Sequence, residues 1–140
     1  HYSYIRHAQT FTAESDHQIL GVNLRLWKRN FPGIVTASLT NIDANEKPLP
    51  PALAIGTING DLLSETHPGE WAFTPLIPYN LIKTIQYAIV LQTQDPRLYW
   101  AAGPYYGYPG HHHWISVDAG ATWFDNPWHL FFQVWGQPLF

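Results

Sequence analysis

At 140 residues, with ten acidic and seven basic side chains and a formal charge of −3, the chain has the size of one domain and no clustered cationic run. That excludes nucleic acid as a partner, because a phosphate backbone demands such a face. No apolar run of about 18 residues is present, so no membrane insertion is expected. Cysteine is absent, which removes disulfides, thiolate catalysis and thiolate zinc sites together.

Charged residues make up 12% and aromatics 16%, and proline is frequent, a balance that leans toward a β-rich exterior protein. The sequence begins at His1 and holds no Met, which reads as a processed or trimmed chain.

In chain order, side-chain alternation of period two dominates. In ILGVNLRLW, Leu20, Val22, Leu24 and Leu26 are expected on one face, with Asn23 and Arg25 on the other. NFPGI (30–34) offers a Pro-Gly turn with Gly33 at positive φ. In GIVTASLT, Val35, Ala37 and Leu39 alternate with Thr36, Ser38 and Thr40. DANEKPLPP (43–51) is polar and then proline-rich, a connection that cannot join the interior of a sheet. TINGDLL (57–63) carries Asn59-Gly60, a hairpin signal. A single helical turn is expected around Pro78–Leu81. In TIQYAIVLQT, Ile85, Tyr87, Ile89 and Leu91 form one face, and Ala88 and Val90 make the other apolar as well, as in a central strand. Leu130, Phe132 and Val134 alternate with Phe131, Gln133 and Trp135. The expected fold is all-β: an antiparallel sandwich, jelly-roll-like, of about eight to ten short strands in one domain over 1–140.

ISVDAGATWF (115–124) holds Ser116, Asp118, Gly120, Thr122 and Trp123, the S-x-D-x-G-x-T-W spacing that glycan-cleaving propeller enzymes repeat on their blades. A propeller needs several repeats of roughly 40–50 residues, and this chain has one copy of the motif. In such a stretch Asp118 accepts from backbone N–H groups, Gly120 takes a conformation closed to most residues, and Trp123 folds back over the hairpin. The expected role is a structural staple.

The hairpin completes a wider order. AQTFTA (8–13), VNLRLWKRNFPGIVTASL (22–39) and DANEKPLPPALAIGTING (43–60) precede EWAFTPLIP (70–78), TIQYAIVLQ (84–92), DAGATW and a terminal FFQVWG (131–136). From about Ala8 to Gly136 this order resembles the choice-of-anchor R domain. The resemblance implies an extracellular β-sandwich module of surface proteins, and it brings no catalytic residues.

Chemistry has few other footholds. His111, His112 and His113 precede Trp114; two imidazoles at i, i+2 begin a metal site only if a third ligand such as Asp118 or Asp125 joins them. Glycoside hydrolysis needs two acids across a cleft, and Glu70 beside Trp71 is the one carboxylate placed to be such an acid. Asp43, Asn45 and Glu46 supply oxygens for a calcium ion without the full loop pattern. The aromatic run LYWAAGPYYGYPGHHHW holds Tyr99, Trp100, Tyr105, Tyr106, Tyr108 and Trp114, expected either to close the core or to meet a partner.

The reading is a non-catalytic structural or adhesive module on a cell or virion surface, a subunit of a surface layer, filament or virion exterior. No resident cofactor is expected, and its partners are other protein subunits, a second copy among them, or surface glycans. The alternatives are a carbohydrate-binding module that uses the aromatic loop and, more remotely, a glycan-active enzyme.

Overall fold

The computed structural model describes residues 5–66, 69–93, 98–103, 111–126 and 129–138. Its strands are β1 (Arg6–Thr12), β2 (His17–Lys28), β3 (Ile34–Ile42), β4 (Pro48–Asn59), β5 (Glu70–Leu81), β6 (Gln86–Thr93), β7 (Leu98–Trp100), β8 (Ala102–Gly103), β9 (His113–Ser116), β10 (Phe124–Asn126), β11 (His129–Leu130) and β12 (Phe132–Pro138). They form two antiparallel sheets that face each other without closing into a barrel. The larger sheet runs β10-β9-β1-β6-β3-β4; the smaller runs β12-β2-β5, with β7 also paired to β2, and β11 and β8 make a minor pair. The chain crosses between the sheets at most connections, and only β3–β4 and β9–β10 turn back within one. Among the described residues no helix is long and apolar enough to cross a membrane.

Period-two patterning builds the core. Val35, Ala37 and Leu39 of β3 and Tyr87, Ile89 and Leu91 of β6 meet Ile19, Val22, Leu24 and Leu26 of β2 between the sheets. Gln9 also points inward, and its buried amide is satisfied: Oε1 accepts from Leu130 N at 2.8 Å and Nε2 donates to Thr10 O at 3.1 Å.

Three local expectations are corrected. The inward face of β2 starts at Ile19, not Leu20, because the register with β5 shifts between Ile19 and Gly21. The shift forces close approach, since a Cβ on Gly21 would stand 2.4 Å from the Phe73 ring and 2.8 Å from Thr74 O. Residues 78–81 extend β5 instead of turning helically, with Tyr79 opposite Ile19 and Leu81 opposite His17; Pro78 sits at the irregularity, where a ladder donor is dispensable. Asn59-Gly60 does not close a hairpin. Asn59 Oδ1 accepts from Asp61 N at 3.0 Å and opens a single 3-10 turn, Gly60–Leu62, after which the chain passes to the other sheet.

The proline-rich stretch 48–51 is itself strand, but it lies in β4 at the edge of the larger sheet. That is where missing N–H groups are tolerated. Gly33 takes φ 82°, as its Pro-Gly turn requires.

Candidate functional site

The 116–123 hairpin is wired from its own side chains. Gly120 N donates to Ser116 Oγ at 2.8 Å, and Ser116 Oγ donates to Asp118 Oδ1 at 2.8 Å. Thr122 N donates to the same Oδ1 at 2.9 Å, while the Thr122 hydroxyl binds Oδ2. Gly120 holds φ 88°. The Thr122 hydroxyl, then the Thr122 N–H and the Ser116 hydroxyl, hold the Asp118 carboxyl below the usual carboxylate range. Trp123 folds back onto Ala8, Val90 and Trp114, a small apolar cluster on the outer face of the larger sheet. Every polar atom of the motif named here is spent on the turn.

The three histidines are dispersed. His113 points inward, where its Nε2 lies 3.2 Å from His7 Nδ1. His111 Nε2 lies 2.9 Å from the Thr12 hydroxyl. His112 stacks on Trp114 with ring centroids 4.9 Å apart, its Nε2 3.3 Å from Glu46 and its Nδ1 3.5 Å from Asp125. This imidazole therefore spans the turn after β3 and strand β10, and when protonated it offers an N–H to each carboxylate. Burial pushes His7 below its ordinary value. Burial also lowers His111, opposed by the Glu46 charge and reinforced by His112. His129 is lowered chiefly by burial, partly offset by a hydrogen bond with the His111 backbone. Among the described residues no three metal-ligating side chains converge. His111, His113 and Asp43, the weak metal candidates, each serve a different neighbour.

Four other acids, Asp16, Asp43, Asp61 and Glu70, are committed to backbone, while Glu46 and Asp125 face His112. Asp43 Oδ1 accepts from Asn45 N at 2.8 Å and Lys47 N at 3.0 Å, which closes the 43–47 turn. Glu70 Oε1 accepts from Ser64 N at 2.7 Å, Asp16 from Lys83 N at 2.7 Å and Asp61 from Gly33 N at 2.9 Å. These are the loop-fastening roles that short carboxylate side chains fill in turns.

The aromatic run divides. Tyr105, Tyr106 and Tyr108 lie outside the described residues. Trp100 is buried in the core, its Nε1 donating to Phe131 O at 2.7 Å. Trp114 is buried on the outer face of the larger sheet, and its Nε1 donates to Glu46 O at 2.8 Å. Tyr99 stacks on Trp27 at 5.1 Å on the outer face of the smaller sheet, with the Arg29 guanidinium 5.8 Å from its ring.

That outer face holds what the loop-centred reading missed. Trp71, Phe73, Phe131 and Trp135 are 39–53% exposed. Strand pairing sets them in rows: Trp71, Arg25 and Phe131 in the first, Phe73, Asn23 and Gln133 in the second, Pro75, Gly21 and Trp135 in the third. Rows two residues apart are separated by roughly 7 Å and neighbouring strands by about 4.8 Å. Asn23 Nδ2 donates to Gln133 Oε1 at 3.2 Å, and Arg25 lies 5.6 Å from the Trp71 ring. The signal was present in EWAFTP and in LFFQVWG, where aromatic residues occupy the alternate positions that the core does not take.

No protein family, curated protein or solved structure compared with this chain gives a significant match.

Proposed function

We propose that the chain is a non-catalytic extracellular β-sandwich module that adheres to a second copy of itself through the aromatic face of its smaller sheet. The observation that carries this reading is the row arrangement of Trp71, Phe73, Phe131 and Trp135. Several exposed aromatic side chains on one sheet face are costly in water and typical of contact surfaces. A two-fold axis brings the same face of two copies together, and two sheet faces can stack as they do within a sandwich. The backbone bonds of Asp16, Asp43, Asp61 and Glu70 support the non-catalytic part, since Glu70, the one candidate acid, fastens a loop. The order of motifs that resembles the choice-of-anchor R domain supports a surface module.

The test is association of the purified chain. Sedimentation across a broad concentration range is expected to show dimers or larger species for the wild type and monomers for Trp71→Ser/Trp135→Ser. A wild-type chain that stays monomeric at the highest concentration contradicts the reading. A second reading, carbohydrate recognition, is favoured by a polar groove on the other face of the sandwich.

A further inference from the structure

The groove lies on the outer face of the larger sheet. Arg6 of β1, Gln92 of β6, and Ser38 and Thr40 of β3 form its floor. Its walls are Pro48 and Pro50 of β4 on one side and the hairpin residues Gly120 and Trp123 on the other. It encloses about 140 Å³, the volume share of roughly five waters, and continues between the same walls into a wider cleft of about 350 Å³ where Lys47 joins.

Two polar groups on this floor are unspent. Thr40 is 6% exposed, and its buried hydroxyl has no hydrogen-bond partner; the buried Arg6 Nε has none either. No carboxylate among the described residues pairs with Arg6. Native proteins rarely leave such groups unmatched, so each points to a partner supplied from outside. Gly120 lies beside Arg6 without a side chain: a Cβ there would stand 3.4 Å from Arg6 Nη1 and 3.5 Å from Trp123 Cζ2.

We propose that this groove binds the carboxylate-bearing sugar unit of an acidic glycan. A guanidinium fork matches a carboxylate in two parallel hydrogen bonds. The Trp123 ring offers an apolar face to a sugar ring, while Thr40, Ser38 and Gln92 supply donors and acceptors for hydroxyls. Lys47 and Asp43 both line the mouth, one charge of each sign, so Arg6 is the cation that the groove itself presents. A peptide strand has no place here. The floor strands β1, β6 and β3 are central in their sheet, with neighbours on both sides, and leave no ladder to extend. The inference rests on the carbohydrate reading and is independent of self-association through the opposite face.

The experiment titrates the purified chain with galacturonic acid, glucuronic acid, their methyl esters and the parent neutral sugars, followed by ligand-observed NMR and tryptophan fluorescence. The free acids are expected to bind at least about tenfold more tightly than ester or neutral sugar, the factor that loss of a buried charge pair brings. Arg6→Gln should erase that preference, Arg6→Lys should weaken the acid several-fold, and Trp71→Ser should bind as the wild type does. Ester and acid binding equally, acetate binding as tightly as the uronates, or no uronate binding at all would overturn the proposal. The ester comparison needs no variant, so a misfolded Arg6→Gln leaves it decisive. Loss of uronate binding in a wild type that still dimerises sinks the groove alone; retained uronate binding in a strict monomer sinks the adhesive face alone.

Discussion

The two outer faces of the sandwich spend their aromatic residues in opposite ways. On the larger sheet, Trp114 and Trp123 cover Ala8 and Val90, and the Trp114 indole is tied to the turn after β3 through Glu46 O. On the smaller sheet, Trp71 and Trp135 stand in solvent beside Asn23, Arg25 and Gln133. Identical side chains therefore do different work: Trp114 holds a turn to the sheet, while Trp71 and Trp135 present surface. Loops decide the matter. The 43–47 turn and the 116–123 hairpin fold back over the larger sheet, and among the described residues no loop covers Trp71 or Trp135.

That contrast is open to mutation. The largest effect on stability is expected on the larger sheet: Trp114→Ala should cost about 3 kcal/mol or more by chemical denaturation, the usual range for deleting a buried indole. It removes the packing on Ala8 and Val90 together with the link to Glu46. Trp71→Ser/Trp135→Ser should change stability by no more than about 1 kcal/mol, as surface substitutions do. If instead the exposed pair proves costlier than Trp114, the division of labour between the faces is wrong.

A smaller effect is expected from pH. His7, His111 and His129 all have folded-state values lowered mainly by burial. As pH falls, the unfolded chain takes up protons first, near the ordinary imidazole value of about 6.5. The stability that these neutral imidazoles support is thus complete above that value and declines as pH drops through it toward the folded-state values. Denaturation midpoints should fall between pH 7.5 and pH 5.5, and His7→Asn should shrink that fall. Unchanged or rising midpoints would contradict the assignment.

The smallest effect belongs to the hairpin. Asp118→Ala should leave the global midpoint nearly in place while the Thr122 amide, which donates to Asp118, exchanges its hydrogen faster. Loss of the whole fold would show that the hairpin nucleates the larger sheet, a greater role than a local staple.

How far the sequence carries the reader differs between the faces as well. The core of β3 and β6 was legible because Val35, Ala37 and Leu39, and likewise Tyr87, Ile89 and Leu91, keep strict alternation, and only one period fits them. The hairpin was legible because Ser116, Asp118, Gly120 and Thr122 bond among themselves, so the motif needs no distant partner. Leu20 misled because the β2–β5 shift is a property of two strands far apart in sequence. Asn59-Gly60 misled because the same amide that suits a hairpin also caps a 3-10 turn. The aromatic face was written in alternation too. Its residues took the positions that the core refused, and only the absence of a covering loop, a tertiary fact, distinguishes it from the Trp114 face.

The most direct measurement is sedimentation equilibrium on the wild type and on Trp71→Ser/Trp135→Ser at matched concentrations. The account predicts concentration-dependent association of the wild type and its loss in the double variant, with circular dichroism unchanged. A folded double variant that associates as the wild type does would contradict it.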